Sequence, residues 1–116
     1  MPLVRVQTSV PVAPQRRAPL LAQLSRAAAE VLGKPEDYVM VVLEPEVPML
    51  MAREPAPAAF VEVRAVGRIS ADQARRASAK WSEILEQALG VPAARVYSTY
   101  AGLDGAMWGQ GGDTFG

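Results

Sequence analysis

Neither cysteine nor histidine occurs among the 116 residues. Their absence removes thiol catalysis, Ser-His and Cys-His nucleophile pairs, disulfides and the usual zinc ligand sets. Charge of neither sign is in excess: 12 Lys and Arg balance 12 Asp and Glu, which gives no support to nucleic-acid or anionic-membrane binding. The pairs Arg16-Arg17 and Arg75-Arg76 fall within expected helices and read as solvated faces. No apolar run is long enough to span a membrane. The N-terminus reads as a strand, with no basic region and long apolar run of a secretory signal, so a cytoplasmic protein is expected. Aromatic residues are few at 6 %, but hydrophobic residues make up 50 %, ample for a packed core and too many for disorder. A single domain over residues 1–116 is expected, small enough to gain from self-association.

What the chain does contain is a repeat. Leu32-Gly33-Lys34-Pro35 recurs as Leu89-Gly90-Val91-Pro92, and the same offset carries Val4-Arg5-Val6 onto Val61-Glu62-Val63 and Val39 onto Val96. Three segments sharing one offset read as two copies of one unit, about 2–44 and 59–100, followed by a C-terminal segment 101–116. In each copy a valine-rich alternating segment, Leu3–Thr8 or Phe60–Val66, predicts a strand. A helix follows, from about Pro14 to Leu32 in the first copy, with Leu20, Leu21, Leu24, Ala27, Ala28, Val31 and Leu32 on one face. The second helix opens on Ser70-Ala71-Asp72-Gln73, a capping-box pattern, and turns Ala74, Ala77, Trp81, Ile84, Leu85 and Ala88 inward. Gly33 and Gly90 stand where a helix end wants a left-handed residue, and Pro35 and Pro92 forbid continuation. Second strands are expected at Tyr38–Glu44 and Arg95–Tyr100.

The fold class is therefore α+β: two βαβ repeats forming a four-stranded sheet with two helices on one face. Val39 to Leu43 are apolar at every position, the pattern of a strand covered on both sides. Two helices on one face leave the other bare, which predicts an oligomer with sheets packed together. Pro45–Ala59 holds four prolines, at 45, 48, 55 and 57, and reads as an ordered loop; Met49-Leu50-Met51 within it read as subunit or core contacts. The C-terminal segment carries six glycines interleaved with Met107, Trp108 and Phe115 but no phosphate-cradling pattern, so a wall or lid beside a site, or a subunit contact, is expected.

Pro2 is the candidate for chemistry. If the methionine before it is trimmed, the proline nitrogen becomes a secondary amine at the head of an apolar strand. An α-amino group titrates near about 7.7–8.0, and burial or a nearby cation lowers it, so such a nitrogen serves as a general base near neutrality. With Met1 attached, the same nitrogen is a tertiary amide with no basicity. The alternative is that Pro2 merely follows the start codon.

A Met-Pro start, the duplicated βαβ plan and Gly33-Lys34-Pro35 after the first helix together resemble the tautomerase superfamily, in its macrophage migration inhibitory factor family. Val66-Gly67-Arg68-Ile69, Arg95-Val96-Tyr97 and the ending Thr114-Phe115 extend the resemblance over essentially the whole chain. The resemblance implies a homotrimer with sheets forming an inner barrel, interfacial active sites and Pro2 as catalytic base, with neither cofactor nor metal. It implies that Lys34 binds a substrate carboxylate, where the chain's own alternative is a helix C-terminal cation meeting the dipole. It further implies a Val66 backbone amide facing substrate, Tyr97 reaching in from a neighbouring subunit, and Tyr38 near the pocket, although a core tyrosine accounts for Tyr38 equally well. Thr99 stands where the family's mammalian member has asparagine, and Gln110 where it has a pocket tryptophan. Trp108, two positions earlier, restores an aromatic wall if the two alternate on one face. Arg64 and Arg68 match the added arginines of dehalogenating and decarboxylating relatives in kind, though Arg64 alternates with valines as a solvent-facing residue does. The activity implied is keto–enol tautomerisation of a 2-oxo acid such as phenylpyruvate. The alternatives are a binding or signalling protein with vestigial tautomerase activity, and a dehalogenase or hydratase of the same superfamily.

Overall fold

A computed structural model describes residues 1–116. The chain runs β1 (Pro2–Thr8), α1 (Pro14–Leu32), β2 (Met40–Glu44), β3 (Ala59–Val66), α2 (Ala71–Leu89), β4 (Val96–Leu103), then a short hairpin of β5 (Gly109–Gln110) and β6 (Asp113–Thr114). The main sheet has the order β2-β1-β3-β4. β1 runs parallel to β2 and antiparallel to β3, and β3 runs parallel to β4, so two βαβ units meet at the central β1–β3 pair.

Alternation along the central strands decides which face is buried. Val4, Val6 and Thr8 of β1, with Ala59, Val61, Val63 and Ala65 of β3, point to the helices and are buried. They meet Leu20, Leu24, Ala27 and Ala28 of α1, and Ala77, Trp81, Ile84 and Leu85 of α2, in one core on one side of the sheet. Leu21, Val31, Ala74 and Ala88, expected inside, are only half-buried because they lie on the flanks of their helical stripes.

The helix ends follow their local chemistry. Ser70 accepts from the Gln73 amide at 3.1 Å while the Gln73 side chain accepts from the Ser70 amide at 2.9 Å, a complete capping box. Gly33 (φ 64°) and Gly90 (φ 72°) end the helices in the left-handed region that glycine adopts without strain. Pro14 opens α1, where its missing N–H costs nothing, and Pro19 lies inside the helix.

The expected starts of the second strands need correction. A 3₁₀ turn, Glu36–Tyr38, follows Pro35, and another, Ala93–Arg95, follows Pro92, so Tyr38 and Arg95 precede their strands. β2 is an edge strand with no buried residue in the single chain, and Met40 is 63 % exposed. The uncovered face is mixed. It carries Leu3, Phe60 and Tyr97, but also an Arg5–Glu44 ion pair at 2.6 Å and Arg64 near Glu62 at 3.5 Å. Leu50, in the proline-rich loop, is exposed rather than part of the core.

That loop is tied down by one side chain. The Arg95 guanidinium donates to the carbonyls of Pro57 (2.9 Å), Met51 (3.2 Å), Glu54 (2.9 Å) and Ala56 (3.1 Å).

Candidate active site

Pro2 opens β1 and is buried, with its backbone set opposite Ala65 of β3, which in turn is opposite Gly102 of β4. At this end of the sheet lies a cavity of about 520 Å³. Its wall includes Met1 and Pro2 from the N-terminus, Tyr38 and Asp37 from the first 3₁₀ turn, and Met107, Trp108 and Gln110 from the C-terminal segment. Arg64 of β3 also lines it.

The C-terminal segment reaches the cavity because it doubles back. A 3₁₀ turn at Gly105–Met107 leads into the β5–β6 hairpin, and the Phe115 amide donates to Gly105 O (3.0 Å) and Trp108 O (3.2 Å). Gly105 lies close enough to Phe115 that a Cβ would stand 3.0 Å from its carbonyl oxygen. Trp108 and Gln110 thereby share one wall. The hairpin itself was not foreseen, since its strands are two residues each and too short for a periodic signal.

Two polar groups converge on the first peptide unit. The Val66 amide donates to the Met1 carbonyl at 3.3 Å. Lys34, one residue beyond the left-handed end of α1 and half-buried, lies near the Met1 amine. That amine is held below its ordinary value of 8.0, first by burial and then by the positive charge of Lys34.

Of the residues singled out in the sequence, Pro2, Tyr38, Trp108 and Gln110 therefore lie on one cavity, while Lys34 and the Val66 amide are not in its lining and bear on Met1, which is. Tyr97 and Thr99 do not. Tyr97 is opposite Phe60, five residues along β4 from Gly102, or about 16 Å at about 3.3 Å per residue. It stands 64 % exposed on the uncovered face, with Thr99 exposed on the same side. Within one chain, both are remote from Pro2. Met107 lines the cavity, within the C-terminal segment expected as a wall or lid, and Met40 lines it as well, although an apolar residue in a strand carries no signal of a site. For Arg64 the sequence leaves open a site arginine or a solvent-facing residue; it projects from the uncovered face, at the end where the cavity opens.

No group of acidic, cysteine or histidine side chains is arranged to hold a metal ion. No helix is long and apolar enough to cross a membrane.

Comparison with known proteins agrees with this architecture. The family model described as macrophage migration inhibitory factor (MIF) matches residues 1–116. A macrophage migration inhibitory factor homolog of Trichuris trichiura is 31 % identical over 115 residues, covering 99 % of this chain and 100 % of the relative. The D-dopachrome decarboxylase of Mus musculus is 32 % identical over 113 residues, covering 97 % and 95 %. Among solved structures, a macrophage migration inhibitory factor homologue from Prochlorococcus marinus superposes with a TM-score of 0.92 at 38 % identity, covering 98 % of this chain and 99 % of the other.

Proposed function

The chain belongs to the macrophage migration inhibitory factor family, and from that premise we propose that it is a keto–enol tautomerase of 2-oxo acids, with Pro2 as its general base. The observation that carries the proposal is the surroundings of Met1 and Pro2, both of which line the cavity. The Val66 amide donates to the Met1 carbonyl and the charge of Lys34 bears on the Met1 amine.

Removal of Met1 does two things at once. It converts the Pro2 nitrogen from a tertiary amide to a secondary amine, and it frees the Val66 N–H for an oxygen of the substrate. Burial and the Lys34 charge lower the Met1 amine, and in our reading the same two causes favour the neutral form of the Pro2 nitrogen once it is the terminal amine. Lys34 and the Val66 amide hold the carboxylate and the oxo oxygen. Neutral Pro2 removes a proton from C3 of the keto form, the electron pair moves into the C2–C3 bond, and charge collects on the oxo oxygen. The Val66 N–H and Lys34 then stabilise that charge. Return of the proton to oxygen gives the enol, and the reverse sequence gives the ketone. Proton transfer of this kind contributes about 10²–10⁴-fold.

Tyr38, Trp108, Met40 and Met107 make the outer wall largely apolar, which favours an aromatic tail such as that of phenylpyruvate. Within one chain Tyr97 and Thr99 lie away from Pro2; in the homotrimer we propose, a neighbouring subunit supplies them at each interface. A relative bearing an enzyme's name, D-dopachrome decarboxylase, supports catalysis over a role in binding alone.

The test follows decay of enol-phenylpyruvate with protein shown by intact mass to lack Met1. Wild type accelerates the decay and Pro2→Ala does not. Equal rates for the two reject the mechanism.

A further inference from the structure

We propose that Arg64 makes this cavity a site for short 2-oxo dicarboxylates, pairing with the second carboxylate of a substrate whose first lies beside Lys34. The catalytic part of this proposal rests on the tautomerase reading; the binding part stands apart from it.

Arg64 is the only Lys or Arg among the residues lining the cavity. Its backbone is opposite Leu3, one step from the Pro2–Ala65 pair. Val63 and Ala65 on either side are buried against the helices, so Arg64 projects from the opposite face of the sheet. Lys34 comes from the helix-covered face, at the end of α1. The two cations thus flank the first residues of β1 from the two sides of the sheet.

Arg64 is poorly neutralised within the chain. Its one ionic contact is Glu62, two residues away on its own strand, at 3.5 Å. Asp37 lines the same cavity but forms no ion pair with it. A guanidinium has five N–H donors in a rigid fork suited to a carboxylate, and one long contact leaves most of them open. A substrate with a single carboxylate, held at Lys34, brings nothing to Arg64. A 2-oxo diacid pairs with both cations while its C3 stays near Pro2. The cavity volume of about 520 Å³ leaves ample room for a short diacid.

The test compares 2-oxoglutarate with 2-oxovalerate, which share a carbon skeleton and differ in the distal carboxylate. Binding to protein lacking Met1 is read by fluorescence of Trp108 on the cavity wall; Trp81, fully buried in the core, supplies a constant background. Wild type binds the diacid about tenfold more tightly or better, the size expected of one charge-assisted pair at a half-exposed site. Arg64→Gln removes that preference while binding 2-oxovalerate within about twofold of wild type, and Arg64→Lys retains part of it. Absence of a preference in wild type, or equal weakening of both ligands by Arg64→Gln, overturns the proposal. Hydrogen–deuterium exchange at C3, followed by NMR, reports the reaction separately. If exchange is absent while the diacid preference persists and depends on Arg64, the tautomerase reading fails and the role of Arg64 stands.

Discussion

Arg95 offers a test of how the proprline-rich segment between β2 and β3 is held. Its guanidinium donates to four carbonyls of that segment, and the corresponding variant Arg95→Ala removes all four bonds. A hydrogen bond to a charged group contributes about 1.5–3 kcal/mol when both partners are desolvated. Here three of the four acceptor residues are exposed, and their carbonyls regain water when Arg95 is lost. A value of about 0.5 kcal/mol per bond, at the low end of the range for an ordinary hydrogen bond, is therefore appropriate and gives a loss of about 2 kcal/mol. For a chain of this length that lowers Tm by about 8 °C, measured at fixed protein concentration because self-association shifts the midpoint. Arg95→Lys recovers less than half, since a compact ammonium cannot reproduce a planar fork. Hydrogen exchange locates the effect: the amides of Met51 and Glu54, which bond to each other's carbonyls at 3.2 and 2.9 Å, exchange faster in Arg95→Ala. A loss below about 0.5 kcal/mol with unchanged exchange at these amides would refute the reasoning.

Two further expectations concern the site end of the sheet. Burial first and then the Lys34 charge lower the pKa of the Met1 amine; on the proposed reading the same charge acts on the Pro2 nitrogen, which must be neutral to act as base, so Lys34→Gln moves the rise of kcat/KM to higher pH. A rise left in place, or displaced to lower pH, contradicts that assignment. Gly102→Ala sets a Cβ 2.1 Å from the Gly67 carbonyl oxygen, a backbone atom that cannot swing aside. It costs about 3 kcal/mol in denaturant unfolding and displaces the turn that follows Val66, lowering activity as well; wild-type stability would show that the turn yields freely.

Legibility in the sequence depended on whether the deciding interactions were local. Gly33, Gly90 and the Ser70–Gln73 box act within a few residues, and each has the expected geometry. The 3₁₀ turns after Pro35 and Pro92 were missed because three residues carry no periodicity, and they move Tyr38 and Arg95 out of the strands. Val39 to Leu43 has the composition of a strand covered on both faces, and composition does not record that this strand lies at a sheet edge. Pro2, Trp108 and Gln110 come from the two ends of the chain, and only the pairing of β1 with β3 and the fold-back of the tail bring them to one cavity. Arg64 shows the converse. Its alternation with valines correctly indicates the face it leaves from, but the end of the strand decides whether that face meets solvent or a cavity.

The sheet order leaves two open edges of different kinds, β2 on one side and β4 on the other. Neither edge can satisfy the other within one chain, and each presents a row of backbone donors and acceptors. When copies join edge to edge, β2 of one against β4 of the next, the contact is head-to-tail and every added copy renews both open edges. Such growth has two outcomes: it closes into a ring, or it continues as a filament. The twist between neighbouring strands sets the angle between successive copies, so the number of copies in a closed ring is a property of the sheet's curvature. A substitution that flattens the sheet without unfolding it would then favour an open row of copies over a closed ring.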